Sequence, residues 1–254
     1  MKNRLLCLAI GLALCTDSAI AQLETDPAHI GIEVTPFYNS KGPAIEVGPF
    51  SKGLASKNED EFEVTILKMK KSWDKLSFAE MYVAAIQLYD RGYRKEAVYW
   101  FYSAQYRGRL FAILVEQDKM GGIGDSGFEL FHAQIAFFEL VGPFINSYGF
   151  GDPDHLVEVI QRVRKEGEKL PDIKTTYRSV KFKDESKWKA ENKELNDGMG
   201  ELLASFKDKE QRDSLKQERI ENGTEAKFGK LKSRELTKRP EPAPKADKPA
   251  TPDK

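Results

Sequence analysis

The chain has 254 residues, with 40 basic and 40 acidic side chains and a formal net charge of zero. That balance argues against a dedicated nucleic-acid binder, which carries a basic excess to neutralise phosphates. Hydrophobic residues make up 40% and charged residues 31%, at a mean hydropathy of -0.54. This is apolar material for one core, with part of the chain left outside it.

The first 21 residues read as a targeting segment. Lys2 and Arg4 precede an apolar run over residues 5–14, and Ala19-Ile20-Ala21 supplies a small-x-small cleavage pattern. The run falls short of the about 20 residues that span a bilayer. The arrangement predicts a secretory signal peptide over residues 1–21. The rival is a lipoprotein signal with Cys15 as the lipidated residue, although Leu14 stands where a small residue is needed. Cys7 and Cys15 both lie in this segment. A mature chain would then hold no thiol for a disulfide framework, a nucleophile or a thiolate metal site. The expected destination is the bacterial periplasm. No membrane span is expected in the mature chain.

Residues 22–58 are rich in Pro and Gly. Two short β-prone stretches, 30–34 and 44–47, either pair as a hairpin or lie extended over the rest. From residue 59 the period turns helical. Phe62, Ile66, Met69 and Trp73 follow spacings of 4, 3 and 4, which places them on one helix face. Ser77 with Glu80 forms a capping box for a helix over residues 78–91, ended by Gly92. Helical runs over residues 94–106 and 109–117 follow.

The glycine-rich loop 121–127 precedes a strongly apolar segment. Ser126 with Glu129 reads as its capping box. Phe128, Phe131, Ile135, Phe138 and Leu140 make this helix apolar over most of its surface, so it is expected at the centre of the core. Pro143 is expected to end it. Asp152-Pro153 then caps a helix with the apolar stripe Leu156, Val159, Ile160 and Val163. Residues 185–207 form a further helix anchored by Trp188, Leu195, Met199, Leu202, Leu203 and Phe206. Past Lys209 apolar residues thin out, and the charged helical extension 208–239 is expected to project into solvent or fray. Residues 240–254 hold five prolines and no large apolar side chain, which predicts a disordered tail. The fold class is therefore all-α: a helical-hairpin or irregular α-bundle domain over residues 59–207, flanked by an extended N-terminal segment and this tail.

Within residues 78–112, Ala85, Gly92, Ala97, Phe101 and Ala104 stand at the offsets small, Gly, Ala, aromatic, Ala. Trp100, Gly108 and Ala112 extend the pattern of the second helix. This stretch resembles a single tetratricopeptide or Sel1-like helical-hairpin repeat. Small residues at facing positions let two helices approach closely, and Gly permits the turn between them. No second clear copy follows, so a lone αα-hairpin in a non-repeat domain is the other reading. The resemblance implies a scaffold that binds a protein or peptide.

The run Tyr99-Trp100-Phe101-Tyr102, with Tyr106, is the most unusual local feature. Tyr99, Tyr102 and Tyr106 share a helix face beside Arg107 and Arg109, and Tyr and Arg are the types enriched at binding hot spots. Either these five form a partner surface, or the aromatics are core covered by the helix 126–140. Glu129 and His132, at i, i+3, are weak metal candidates. A capping glutamate and a hydrogen-bonded histidine explain them as well. The glycine loop lacks the Lys-Ser/Thr of a phosphate-binding loop, and no G-x-S-x-G or H-E-x-x-H occurs. No catalytic residue and no cofactor are expected. The expected function is an exported adaptor or immunity/inhibitor-type protein that binds a protein or peptide in the cell envelope. The alternative is a cell-envelope enzyme with a carboxylate/His site in a helical pocket.

Overall fold

The structure, a computed structural model, describes residues 26–30 and 48–237. The signal segment, the two β-prone stretches beyond Ile30 and the Pro-rich tail lie outside the described residues. Among the described residues the fold is all-α. Extended pairing is confined to one isolated antiparallel bridge, Val115 with Phe182.

A single helical turn, α1 (Ser51–Leu54), leads into α2 (Glu59–Lys71). Asn58 caps α2 by accepting from the Glu61 amide. Three acids in its first turn and three lysines in its last complement the helix dipole. The predicted stripe holds: Phe62, Ile66 and Met69 are wholly buried, and Trp73 packs at the edge. The Ser77–Glu80 capping box opens α3 (Phe78–Asp90) as expected. Gly92, at φ +87°, makes the turn; an L-residue adopts this conformation only with strain.

The next helix, α4 (Arg94–Leu114), runs unbroken through 21 residues where two shorter runs were expected. Gly108 does not interrupt it. A side chain there would meet Gln134 at 2.5 Å, so the glycine permits close approach of the following helix. The α3–α4 hairpin is the most extensive helix pairing, and α4 also packs on α5, α6 and α8. Ala85, Ala97, Phe101 and Ala104 are fully buried.

The central helix is thus α4, not the segment that follows the glycine loop. That segment, α5 (Ser126–Gly149), departs from expectation three times. Asp125, not Ser126, is the N-cap, accepting from the Phe128 amide, while Glu129 reaches back to the Gly124 amide. Pro143 lies inside the helix instead of ending it. A proline there forfeits a backbone bond and costs about 3 kcal/mol. Burial of Val141, Phe144 and Ile145 directly around it offsets that cost. Finally, the first half of α5 lies across the edge of the hairpin. It leaves Ile135 39% and Leu140 48% exposed. Among the described residues α5 is the one helix that meets a membrane-span measure, by length and composition only.

Asp152 caps α6 (Pro153–Gly167), and all four stripe residues are buried. A short turn, α7 (Ile173–Thr176), leads to α8 (Trp188–Lys207), which packs on α6 and α4. Of its six expected anchors, Trp188, Met199, Leu203 and Phe206 are buried. Leu195 and Leu202 are half-buried against the core.

The chain past Lys209 does not project into solvent. It forms α9 (Lys209–Glu221) and α10 (Thr224–Phe228), then returns across the hairpin turn. Arg219, 4% exposed, donates to the Ser147 carbonyl and pairs with Glu225 at 2.8 Å. Phe228 is buried, the Arg234 amide donates to the Gly92 carbonyl at 2.8 Å, and Thr237 bonds the Glu63 carboxylate. Sparse apolar residues conceal this docking because it rests largely on the buried Arg219 and Phe228, a few scattered leucines and polar bonds to distant parts of the chain.

Candidate ligand-binding cleft

The five residues of the aromatic–arginine cluster divide between two sides of α4. Tyr102 is wholly buried, and its hydroxyl donates to Asn146 Oδ1 at 3.0 Å. Arg109 is half-buried toward Tyr82 and Tyr102, and this desolvation holds its pKa below that of a free guanidinium. Tyr102 presents no surface, and Arg109 presents only part of its side chain. Tyr99 and Tyr106 are also buried, at 4% and 5% exposure. The expectation of an exposed tyrosine face is therefore corrected: these rings are packed in the core. The physical reason is that α4 is enclosed by α3, α5, α6 and α8, so no tyrosine-bearing side of it reaches solvent freely.

Yet Tyr99, Tyr106 and Arg107 do converge, as walls of an open cleft of about 680 Å³. The cleft lies between the C-terminal end of α2, the middle of α4 and the last turns of α6. Ligand sites in proteins commonly occupy some 300–1,000 Å³ (~). Its aromatic side is rigid. Trp73 stacks on Tyr99 with centroids 5.2 Å apart and an interplanar angle of 8°, and meets Trp100 edge-on at 4.8 Å. The Arg162 guanidinium carbon lies over the Tyr99 ring, 3.6 Å from its centroid. The Tyr99 hydroxyl donates to Glu166 at 2.8 Å, and Arg162 Nε donates to the same carboxylate at 3.0 Å. Burial, then the Glu166 charge and hydrogen bond, raise the Tyr99 pKa far above its usual value, so the phenol stays neutral.

Tyr106 is fixed just as firmly. Its hydroxyl is 2.9 Å from Asn192 Oδ1 and 3.2 Å from the Gly167 carbonyl. Gly167 is required by this arrangement: a Cβ there would lie 2.6 Å from the Tyr106 ring.

The cleft is lined by five cationic side chains, Lys70, Arg107, Arg162, Lys165 and Lys169, against Asp74 and Glu166. Three of the five are neutralised locally. Lys70 pairs with Glu96 at 2.6 Å, Arg162 with Glu166 at 3.0 Å and Lys169 with Asp74 at 2.8 Å. Arg107 and Lys165 have no carboxylate within ion-pair distance among the described residues. Arg107 donates through Nη1 to the Leu76 carbonyl at 2.7 Å, which leaves most of its five N–H donors unused. Its partial burial depresses its pKa by desolvation. Ser103, one turn beyond Tyr99, also lines the cleft, and its Oγ is buried without a hydrogen-bond partner. Ser103, Lys165 and Gly167 were not expected as site residues from the sequence, and Trp73 was read only as part of the apolar stripe of α2. Only the crossing of α4 with α6 and the packing of the turn after α2 on Tyr99 bring them together, although the aromatic run did mark the helix that carries the site.

Glu129 and His132 lie elsewhere. Both are exposed on the first half of α5; His132 packs against the Phe128 and Phe131 rings at 4.4 and 5.8 Å. Among the described residues no group of three or more His, Cys, Asp or Glu side chains is placed to hold a metal ion. Comparison with protein-family models, with curated proteins and with solved structures finds no match to this chain.

Proposed function

We propose that the protein is an exported, periplasmic helical scaffold that binds another protein or peptide, of adaptor or immunity/inhibitor type, and that the cleft between α4 and α6 is where the partner engages. One observation carries the reading. A wide, open cleft presents the partly exposed Trp73 ring, backed by Tyr99 and Tyr106, and two cations that form no ion pair within the described residues. Rigid aromatics beside arginine are the composition of binding hot spots. Exposed cations at the rim steer an acidic partner into place. The rings are locked by hydrogen bonds to Glu166, Asn192 and Gly167, so little conformational entropy is lost when a partner docks. The Gly/Ala spacing of the α3–α4 hairpin, shared with tetratricopeptide and Sel1-like repeats, supports the scaffold reading. The basic n-region, apolar run and Ala-x-Ala site support export.

The test is capture of a partner from envelope extract by the tagged chain, beside a Lys165→Glu, Lys169→Glu variant. Both lysines are exposed, so the variant keeps the fold. A partner retained by the wild type and lost by the variant supports the reading. Equal capture by both refutes the cleft as the docking place.

A further inference from the structure

The cleft has a chemically defined floor. Arg107 is the deepest of its cations. A half-buried guanidinium with no carboxylate in ion-pair contact is a costly arrangement: the charges of Asp74 and Glu166 act on it from a distance, but neither replaces the water it has given up. Its remaining donors form a planar fork suited to two oxygens of one group. Ser103 Oγ, on the same helix one turn away, is a second donor that the protein leaves unused. Lys165, on the opposite wall, supplies a second positive group free of internal pairing. Trp73 offers a flat apolar surface beside them. Cation and fork line one open volume, with the orphaned hydroxyl buried in its wall. They describe the complement of an oxyanion attached to an apolar body.

We infer that the cleft is an oxyanion receptor that holds a carboxylate of an acidic peptide segment, with Arg107 as its anchor and Lys165 closing over it. This rests on the cleft being the partner site. It adds the chemistry by which that partner is recognised. The carboxylate supplies the direct ion-pair contact that Asp74 and Glu166 do not make with Arg107, and an apolar neighbour in the segment covers Trp73.

The experiment uses the full chain and three probes: sodium glutarate, inorganic phosphate, and sodium chloride at matched ionic strength. The readout is the indole N–H resonances of the three tryptophans. Trp73 lines the cleft, and Trp188, bonded to the Lys183 carbonyl, serves as an internal reference. Glutarate is expected to shift Trp73 saturably, with a dissociation constant in the millimolar range or below, and to leave Trp188 in place. Arg107→Lys keeps the charge but loses the fork, and weakens binding about tenfold, as expected for a charge-assisted bond. Lys165→Met, at an exposed position, weakens it without touching the fold.

Absence of a saturable shift, a chloride response equal to that of glutarate, or indifference to both substitutions overturns the inference. Phosphate binding about tenfold tighter than glutarate overturns the carboxylate assignment. If the anion titration fails while partner capture still depends on Lys165 and Lys169, the oxyanion inference alone falls.

Discussion

Replacing Gly167 by Ala tests whether the cleft wall is as rigid as its contacts indicate. The new Cβ would lie 2.6 Å from Tyr106 Cζ, 2.7 Å from its hydroxyl oxygen and 2.9 Å from Cε1. Ordinary van der Waals contact begins near 3.4 Å, so the ring must retreat by most of an ångström. It has no easy path. Tyr106 is 5% exposed, and its hydroxyl is held by Asn192 and by the carbonyl of Gly167 itself.

Two effects oppose each other. Alanine is a better helix former than glycine by about 1 kcal/mol in a helix interior, and by less at this C-terminal position. Overpacking costs about 1–3 kcal/mol, and a weakened Tyr106 hydrogen bond adds about 1 kcal/mol. The clash wins, by about 1–3 kcal/mol net. For a chain of this size that lowers Tm by roughly 3–8 °C. Urea unfolding should show an earlier midpoint with an unchanged slope. Gly122→Ala is the control, since a Cβ there has nothing within 4 Å, and its midpoint should stay close to wild type. A Gly167→Ala protein as stable as the control would refute the locked Tyr106 wall and, with it, the preorganised cleft.

Truncation after Lys209 removes Arg219 and Phe228, both buried, and leaves the Ser147 carbonyl without its donor. Loss of the phenylalanine burial alone costs about 2 kcal/mol or more, a fall in Tm of at least about 4 °C; an unchanged melting curve would show that the C-terminal helices are not docked. Tyr93→Phe probes acid stability. The Tyr93 hydroxyl lies 2.6 Å from Glu59 and 2.8 Å from Glu63. Glu59 is held below the usual carboxylate pKa by the Tyr93 hydrogen bond first, then by Arg234 and Arg91. For Glu63, desolvation acts upward, but the bonds from Thr237 and Tyr93 outweigh it. Depressed carboxylates contribute stability that is present above the ordinary value of 4.5 and is lost as pH falls through the lowered folded values. The wild-type advantage over Tyr93→Phe should therefore be largest near neutrality and shrink below about pH 4.5; a difference independent of pH, followed by denaturant unfolding, would count against this coupling.

Much of the helical architecture is written locally. The Ser77–Glu80 box, the Asp152-Pro153 start and the Gly92 turn depend on residues within a few positions of one another, and each stands where the spacing places it. The stripes on α2 and α6 are equally direct, because one helix face must find the core and the 3.6-residue period names that face. Helix continuity was less legible. Gly108 and Pro143 look like breaks, but burial against neighbouring helices outweighs their local cost.

The tertiary structure decided the rest, because the rest depends on residues far apart in the chain. An apolar composition marks α5 as central, yet composition does not say which helix is surrounded, and α4 takes that place between four others. The aromatic run showed that α4 carries something unusual. Only its packing against α5, α6 and α8 buried Tyr102, fixed Tyr99 and Tyr106 against Glu166, Asn192 and Gly167, and left Arg107 and Lys165 facing one cleft without an ion-pair partner. The docking of residues 209–237 is non-local for the same reason: the partners of Arg219, Arg234 and Thr237 lie at Ser147, Gly92 and Glu63. A sequence read along one dimension shows which face of a helix seeks burial; which charges remain unpaired is settled only when the helices meet.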